Sequence, residues 1–576
     1  MGKLKGGEAL KESYKKFVSK RPFIEDILII GGTCLFALAV SITVKTLVKK
    51  PVDLDIKLNP NEASYYSANY DLALKEYAEK GEKEDWPIWT VKEAEIASLK
   101  GEMLNSNVKL SNAYRKRNDA ITKYGKAKYQ EEDKVLGNYI SFTYLLNGEV
   151  DKSIEYGEDF LTNEPINDRL RETLIVSYVY KDDINSAKEI LRDYGKENED
   201  SYKLSKKAEL YFLVKDYETA LTALNKAYDL DNNNIRILDS IDNGIRISGI
   251  DLVNISKKRN DKVSSLLVER YEFLNNIDFK KNIEKLSKRE NKSLIEEKML
   301  LEALDYYKED QTVDKIITDV LNDHGDNYGG CYVLSEYYLK AKNLKKSLEY
   351  GKKALELKED YGNIYANLFP KIITFKDSKN YKLLAPYFRR GLYYEPFNCI
   401  LIENTANYYI NEMQESEVSY KYFFLLSKIA NKDSKTFYNL AILNEKREEK
   451  DLAIKNMEKA IEFDKDNTDY LNALGCIYFT FEKGDKGIEY IRKAYAIDND
   501  NITTLNNAAY YYGKYEKNIT RAMENIKKAY ELSKDSNDLI LKAIVDSNYS
   551  EIKSEYDLYS DEDSNLIEIT NLKLIR

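Results

Sequence analysis

The sequence predicts an all-α protein, an α-solenoid of stacked helix hairpins preceded by one transmembrane helix. Three observations predict it. The 576 residues include only 24 Gly and 8 Pro, so helix breakers are scarce in a chain rich in Leu, Ile, Ala, Glu and Lys. Two stretches, 436–467 and 469–501, superimpose at a constant offset of 34 residues. Residues 27–44 form an uncharged apolar run of 18 positions. A chain this long exceeds one compact core, so several domains or an array of repeats is expected. The 12% aromatic content and low Pro and Gly exclude disordered and collagen-like classes.

Residues 1–22 carry seven basic side chains against Glu8 and Glu12, a net of +5, which leaves −14 of the total −9 for the remainder. This segment is expected to stay in the cytoplasm. Residues 23–48 follow as the anchor, flanked by Lys20 and Arg21 before it and Lys49 and Lys50 after it. The competing reading is a cleaved signal peptide, with Ala37-Leu38-Ala39 as its cleavage site. Apolar residues continue past that point through Leu47 and Val48, which favours the anchor. The excess of Lys and Arg on the N-terminal side places the rest of the chain outside the cell membrane.

Residues 49–134 read as a helical linker and cap. Trp86-Pro87-Ile88-Trp89 holds both tryptophans, and its simplest role is to staple a helix beginning at Thr90. A membrane-facing or partner-docking patch is the alternative. Residues 135–235 and 331–535 carry the repeat, with 236–330 between them helical but out of register. That middle region is either diverged hairpins or a spacer. Residues 536–576 end the chain as a cap with an acidic tail.

The repeat is clearest late in the chain. Leu440 corresponds to Leu474, Ala441 to Gly475, Ala453 to Gly487, Ala460 to Ala494 and Asp464 to Asp498. A third unit follows one residue out of step through Ala508-Ala509, Tyr512, Ala522 and Ala529. Similar spacing appears at Leu334, Tyr338, Ser347 and Ala354, and at Ala208, Tyr211, Ala220 and Ala227. Weaker units bring the array to about nine repeats. Two antiparallel helices of three to four turns with short connections need about 34 residues. Ala453 and Ala460, seven apart, share the face where the two helices approach.

These residues resemble the tetratricopeptide repeat family. Gly475 and Tyr478 match its first-helix Gly and Tyr, while Asn444 stands in place of the Tyr and Gly487 in place of the first Ala. The resemblance implies a right-handed superhelix whose first helices line a concave surface that takes peptides or partner helices. Leu440 and Ala441 face the sister helix, so Tyr438 and Ile442, about 200° round, face the groove together with Glu445. The equivalent positions are Asn472, Cys476 and Phe479, then Asn506 and Tyr510.

Chemistry is sparse. The only histidine is His324, in a polar Gly-containing stretch read as an exposed loop, and no Walker loop, Rossmann fingerprint, nucleophile elbow or zinc-protease motif occurs. Cys34, Cys331, Cys399 and Cys476 form no C-x-x-C. No catalytic, cofactor-binding or metal-ligating residue is therefore assigned. The acidic balance after residue 22 disfavours nucleic acid. The 49 tyrosines either fill the core, through an A/T-rich coding bias, or line a groove for peptide or sugar. The expected function is a membrane-anchored, non-catalytic scaffold for protein partners. The alternative is a carbohydrate-associated accessory subunit of a cell-envelope machine.

Overall fold

Asn and Asp residues in the polar connections start the helices. Asp433 accepts from the Thr436 backbone N–H, Asn467 from Asp469 and Tyr470, and Asn501 from Thr504, each satisfying an amide the first turn leaves unpaired. The computed structural model describes residues 62–196, 199–275, 279–307, 310–376, 381–559, 569 and 571–576. The basic N-terminus, the expected transmembrane span of 23–48 with Cys34, and the acidic residues 561–563 lie outside these. Among the described residues there is no strand, and no helix is long and apolar enough to cross a membrane.

Residues Leu58–Arg576 form one unit of helix hairpins. After a one-turn helix at Ala63–Tyr66 come α1 (Tyr70–Gly81), α2 (Ile88–Leu99), α3 (Met103–Tyr124), α4 (Gln130–Leu146), α5 (Val150–Asn163), α6 (Asp168–Tyr180) and α7 (Ile184–Arg192). Next are α8 (Ser201–Leu213), α9 (Tyr217–Leu230), α10 (Arg236–Ser248), α11 (Ile250–Ser256), α12 (Lys262–Leu274), α13 (Phe279–Ser287), α14 (Leu294–Tyr307) and α15 (Asp310–His324). The second half holds α16 (Tyr328–Lys340), α17 (Leu344–Leu357), α18 (Phe369–Lys376), α19 (Leu384–Tyr394), α20 (Cys399–Asn411) and α21 (Ser416–Ile429). It closes with α22 (Ser434–Lys446), α23 (Lys450–Phe463), α24 (Thr468–Thr480), α25 (Gly484–Ile497), α26 (Ile502–Lys514), α27 (Ile519–Ser533) and α28 (Leu539–Tyr559).

Small residues let the paired helices close. Ala441, Ala453, Ala460, Ala494, Ala522 and Ala529 are fully buried. Gly475 and Gly487 mark a close backbone approach: a Cβ on Gly487 would overlap the Phe479 ring and stand 2.9 Å from the Gly475 carbonyl oxygen. Gly487→Val is expected to cost about 2–3 kcal/mol, because backbone on one side cannot yield. Urea unfolding measures the cost, and amide exchange should rise first in α24 and α25, since repeats depend on nearest neighbours.

The region 236–330 begins as a continuation of the stack. α10 packs on α8 and α12 on α9, in the manner of a hairpin. Gly249, at φ 58°, breaks the chain there and inserts the short α11 before the second helix. The tryptophans do pack locally. Trp86 stacks on Tyr129 at 4.4 Å and Trp89 on Tyr77 at 5.4 Å; the helix starts at Ile88, two residues earlier than expected, so Trp89 lies within its first turn.

The first-helix face of the N-terminal hairpins is not open. Helices α19 and α20 of the same chain lie along it. Arg389 donates to Ser98 Oγ at 2.5 Å, Tyr139 stacks on Tyr393 at 4.4 Å, Arg169 donates to the Tyr393 carbonyl and Lys206 to that of Tyr394. Further on, Arg236 meets Glu395, Asn243 accepts from the Cys399 amide, and Arg246 pairs with both Glu403 and Asp433. One face of α2, α4, α6, α8 and α10 is thus covered by segments roughly 150 to 300 residues away. In the first half of the unit, the first-helix face is therefore internal to the chain.

Candidate functional site

The last three hairpins hold something else in their groove, an extended segment made of residues 571–576. In extended chain, alternate residues present their N–H and C=O on one edge. A carboxamide carries both donor and acceptor groups that match such a residue. Asn507 Nδ2 donates to the Ile575 carbonyl at 2.7 Å while its Oδ1 accepts from the Ile575 amide at 2.9 Å. Asn548 does the same to Lys573, at 2.7 and 2.9 Å. Asn506 adds a bond to the Lys573 carbonyl at 3.1 Å, and the Cys476 thiol one to the Ile575 carbonyl at 3.4 Å. Burial pushes that thiol up to about 12, so it keeps its proton and donates.

Side chains set the ends. Arg576 pairs with Glu445 at 2.5 Å and donates to Thr480 Oγ1 at 3.1 Å. Ile575 is buried in a cluster with Leu505, Ala509 and Ala522. Leu572 and Leu574 pack on a second cluster that includes Ile488, Tyr510 and Tyr511. Gly513 leaves room for this, since a Cβ there would stand 3.0 Å from Leu572 Cδ1. Lys573 projects to solvent.

Of the nominated groove residues, Glu445, Cys476 and Asn506 touch the tail directly, and Tyr510 belongs to the cluster under Leu572 and Leu574. Asn472 is fully buried and donates to Thr504 Oγ1 and the Thr468 carbonyl, while its Oδ1 has no partner. Tyr438 and Ile442 are half-buried one repeat earlier, with Tyr438 stacked on Tyr470 at 5.2 Å. Phe479 belongs to the same cluster as Tyr510, against which Leu572 and Leu574 pack. Its ring also fills the space above Gly487, and its carbonyl accepts from Tyr515.

Asn507 and Asn548 were not singled out from the sequence. Asn507 adjoins Asn506 in the third unit, and two consecutive carboxamides in an apolar first helix were the available signal. Asn548 belongs to α28, outside the repeat register. Of the tyrosines adjacent in sequence, Tyr393, Tyr394, Tyr408, Tyr409, Tyr510 and Tyr511 are all buried in the core.

Among the described residues, no group of three His, Cys, Asp or Glu could hold a metal ion. Cys331, Cys399 and Cys476 are free thiols, all buried. His324 is not an exposed loop residue. It ends α15, half-buried, with Nε2 4.0 Å from Glu297 Oε2, and burial lowers its pKa.

A model of the family described as tetratricopeptide repeat matches residues 434–467 and 468–501. These two segments are tetratricopeptide repeats. They coincide with the hairpins α22–α23 and α24–α25, whose groove holds Ile575 and Arg576. No curated protein matches the chain by sequence. Among solved structures, the chain is similar to the APC/C hetero-tetramer Cut9–Hcn1, at 11% identity over 79% of this chain and 94% of that one, with a TM-score of 0.35. It is also similar to Naa15/Naa10 bound to HypK, at 13% identity over 88% and 96% with a TM-score of 0.35. The third is yeast Tom70, at 14% identity over 84% and 98% with a TM-score of 0.33. Tetratricopeptide repeats thus account for two of the hairpins that carry the groove.

Proposed function

We propose that this chain is a non-catalytic scaffold that docks extended segments of partner proteins in the groove of its C-terminal tetratricopeptide repeats. One observation carries the reading: buried carboxamides in that groove grip a main chain at alternating residues, a mode of recognition that tolerates many sequences. A photo-crosslinking residue at Ile442 is expected to give protein adducts in cells. The same residue at exposed Leu452, on the second helix of that hairpin, should give few. Equal labelling at both positions would sink the reading.

The uncharged run of 27–44 supports a single membrane anchor, with the excess of basic residues before it favouring a repeat unit outside the cytoplasm. An anchor would raise the local concentration of docked partners at the membrane. Trypsin shaving of intact cells should then release peptides from 62–559, while a cytoplasmic control protein stays whole. Protection equal to that control would reverse the orientation.

A further inference from the structure

We propose that residues 571–576 are a built-in occupant of the groove, which gives way to a partner segment of the same chemistry. That chemistry is an extended stretch with two apolar residues two apart, an aliphatic residue next, and then a cation. The proposal rests on the docking reading above and adds what the partner looks like and what it must displace.

The seating of each tail residue defines the partner. Leu572 and Leu574 are only half-buried, against an aromatic and aliphatic cluster with Tyr510 and Tyr511. Ile575 is buried. Lys573 contributes only its main chain to the groove, so any residue suits that position. The cation position is specific. Glu445, with 5% of its side chain exposed, is held by Thr480 and neutralised by Arg576, so an occupant without a cation would leave a buried carboxylate unpaired.

The same features make the tail exchangeable. Its hold is mostly main-chain bonds, each worth about 1 kcal/mol net, and any extended segment can supply them again. Tethering adds the rest. A tethered segment competes at an effective concentration of roughly 1 mM. With an intrinsic Kd of about 100 μM, it would weaken a partner's apparent affinity about tenfold.

The test uses full-length protein and a fluorescent peptide of residues 569–576, ITNLKLIR. In the Leu572→Asp/Ile575→Asp chain the tail should leave without altering any groove residue. Peptide binding by anisotropy is expected to be at least about tenfold tighter than to the unaltered chain. A peptide with Glu in place of its Arg should bind at least about tenfold more weakly. In the unaltered chain, saturating peptide should strip protection from the Lys573 and Ile575 amides in hydrogen exchange, a readout that needs no substitution. If the peptide binds both proteins equally and leaves those amides protected, docking stands and the displaceable tail is wrong. If it binds neither, while both melt cooperatively, the docking reading falls as well.

Discussion

Replacing Arg236 by leucine is expected, above about pH 7 where Glu209 is ionised, to lower the unfolding free energy by about 3–5 kcal/mol, the cost of leaving buried carboxylates without their cation. Arg236 is fully buried, 2.5 Å from Glu209 and 3.0 Å from Glu395, both also fully buried. Each carboxylate has further donors. Glu209 accepts from Ser240 and Asn243, and Glu395 from Asn398 and the Gly362 amide. Those donors offset part of the charge, so the loss stays below complete unfolding. The location makes the effect more than local. Glu209 and Arg236 belong to the N-terminal stack, while Glu395 belongs to the segment that covers it. Stacked hairpins otherwise touch only their neighbours. Contacts such as this one couple repeats that are 159 residues apart. Urea unfolding followed by hydrogen exchange should therefore show a second change in Arg236→Leu: the two halves losing protection at separate denaturant concentrations. An unchanged midpoint and a single transition would mean the ion pairs contribute nothing.

The hairpins were legible because their signal is local and repeats. Small residues at Ala453, Ala460, Gly487 and Ala494 recur wherever two helices close, and the polar stretches between them hold caps such as Asn467. The face of each first helix was also accessible, since about 100° per residue follows from helix geometry alone. What lies on that face was not. The contacts of Arg389 with Ser98 and of Asn507 with Ile575 join residues far apart in sequence, with no period to reveal them. The polar character of the face did carry a trace. Glu172, Lys206, Glu209 and Arg236 occupy first helices at positions that an open groove would leave solvated, yet all four are buried. A periodic pattern shows where a surface is, and only tertiary structure shows that the chain has used it.

Neutralising Asp239 is expected to change how stability depends on pH, and the sign separates two accounts of the buried cluster. Burial raises the Asp239 carboxyl to about 8 and that of Glu209 to about 7, despite the attraction of Arg236 for both. Asp239 also accepts from the Tyr361 hydroxyl at 2.6 Å, and Lys298 lowers its pKa while Glu395 raises it. In the unfolded chain an aspartate releases its proton near pH ~3.9. Between about pH 4 and 8 the folded state therefore holds a proton that the unfolded state does not, and stability falls as pH rises. One such group contributes a slope of about 1.4 kcal/mol per pH unit, and the fall ends once pH passes the folded value. The amide introduced by Asp239→Asn would keep an oxygen for Tyr361 and have no proton to lose. Glu209 would still titrate, up to about pH 7. Between about pH 7 and 8 the unaltered chain should thus continue to lose stability while Asp239→Asn stays level, becoming the more stable of the two at about pH 9. Urea midpoints measured at half-unit steps from about pH 5 to 9 give both slopes. If the substitution instead destabilises the chain at the alkaline end, the folded aspartate is charged well below pH ~8 and Arg236 outweighs burial.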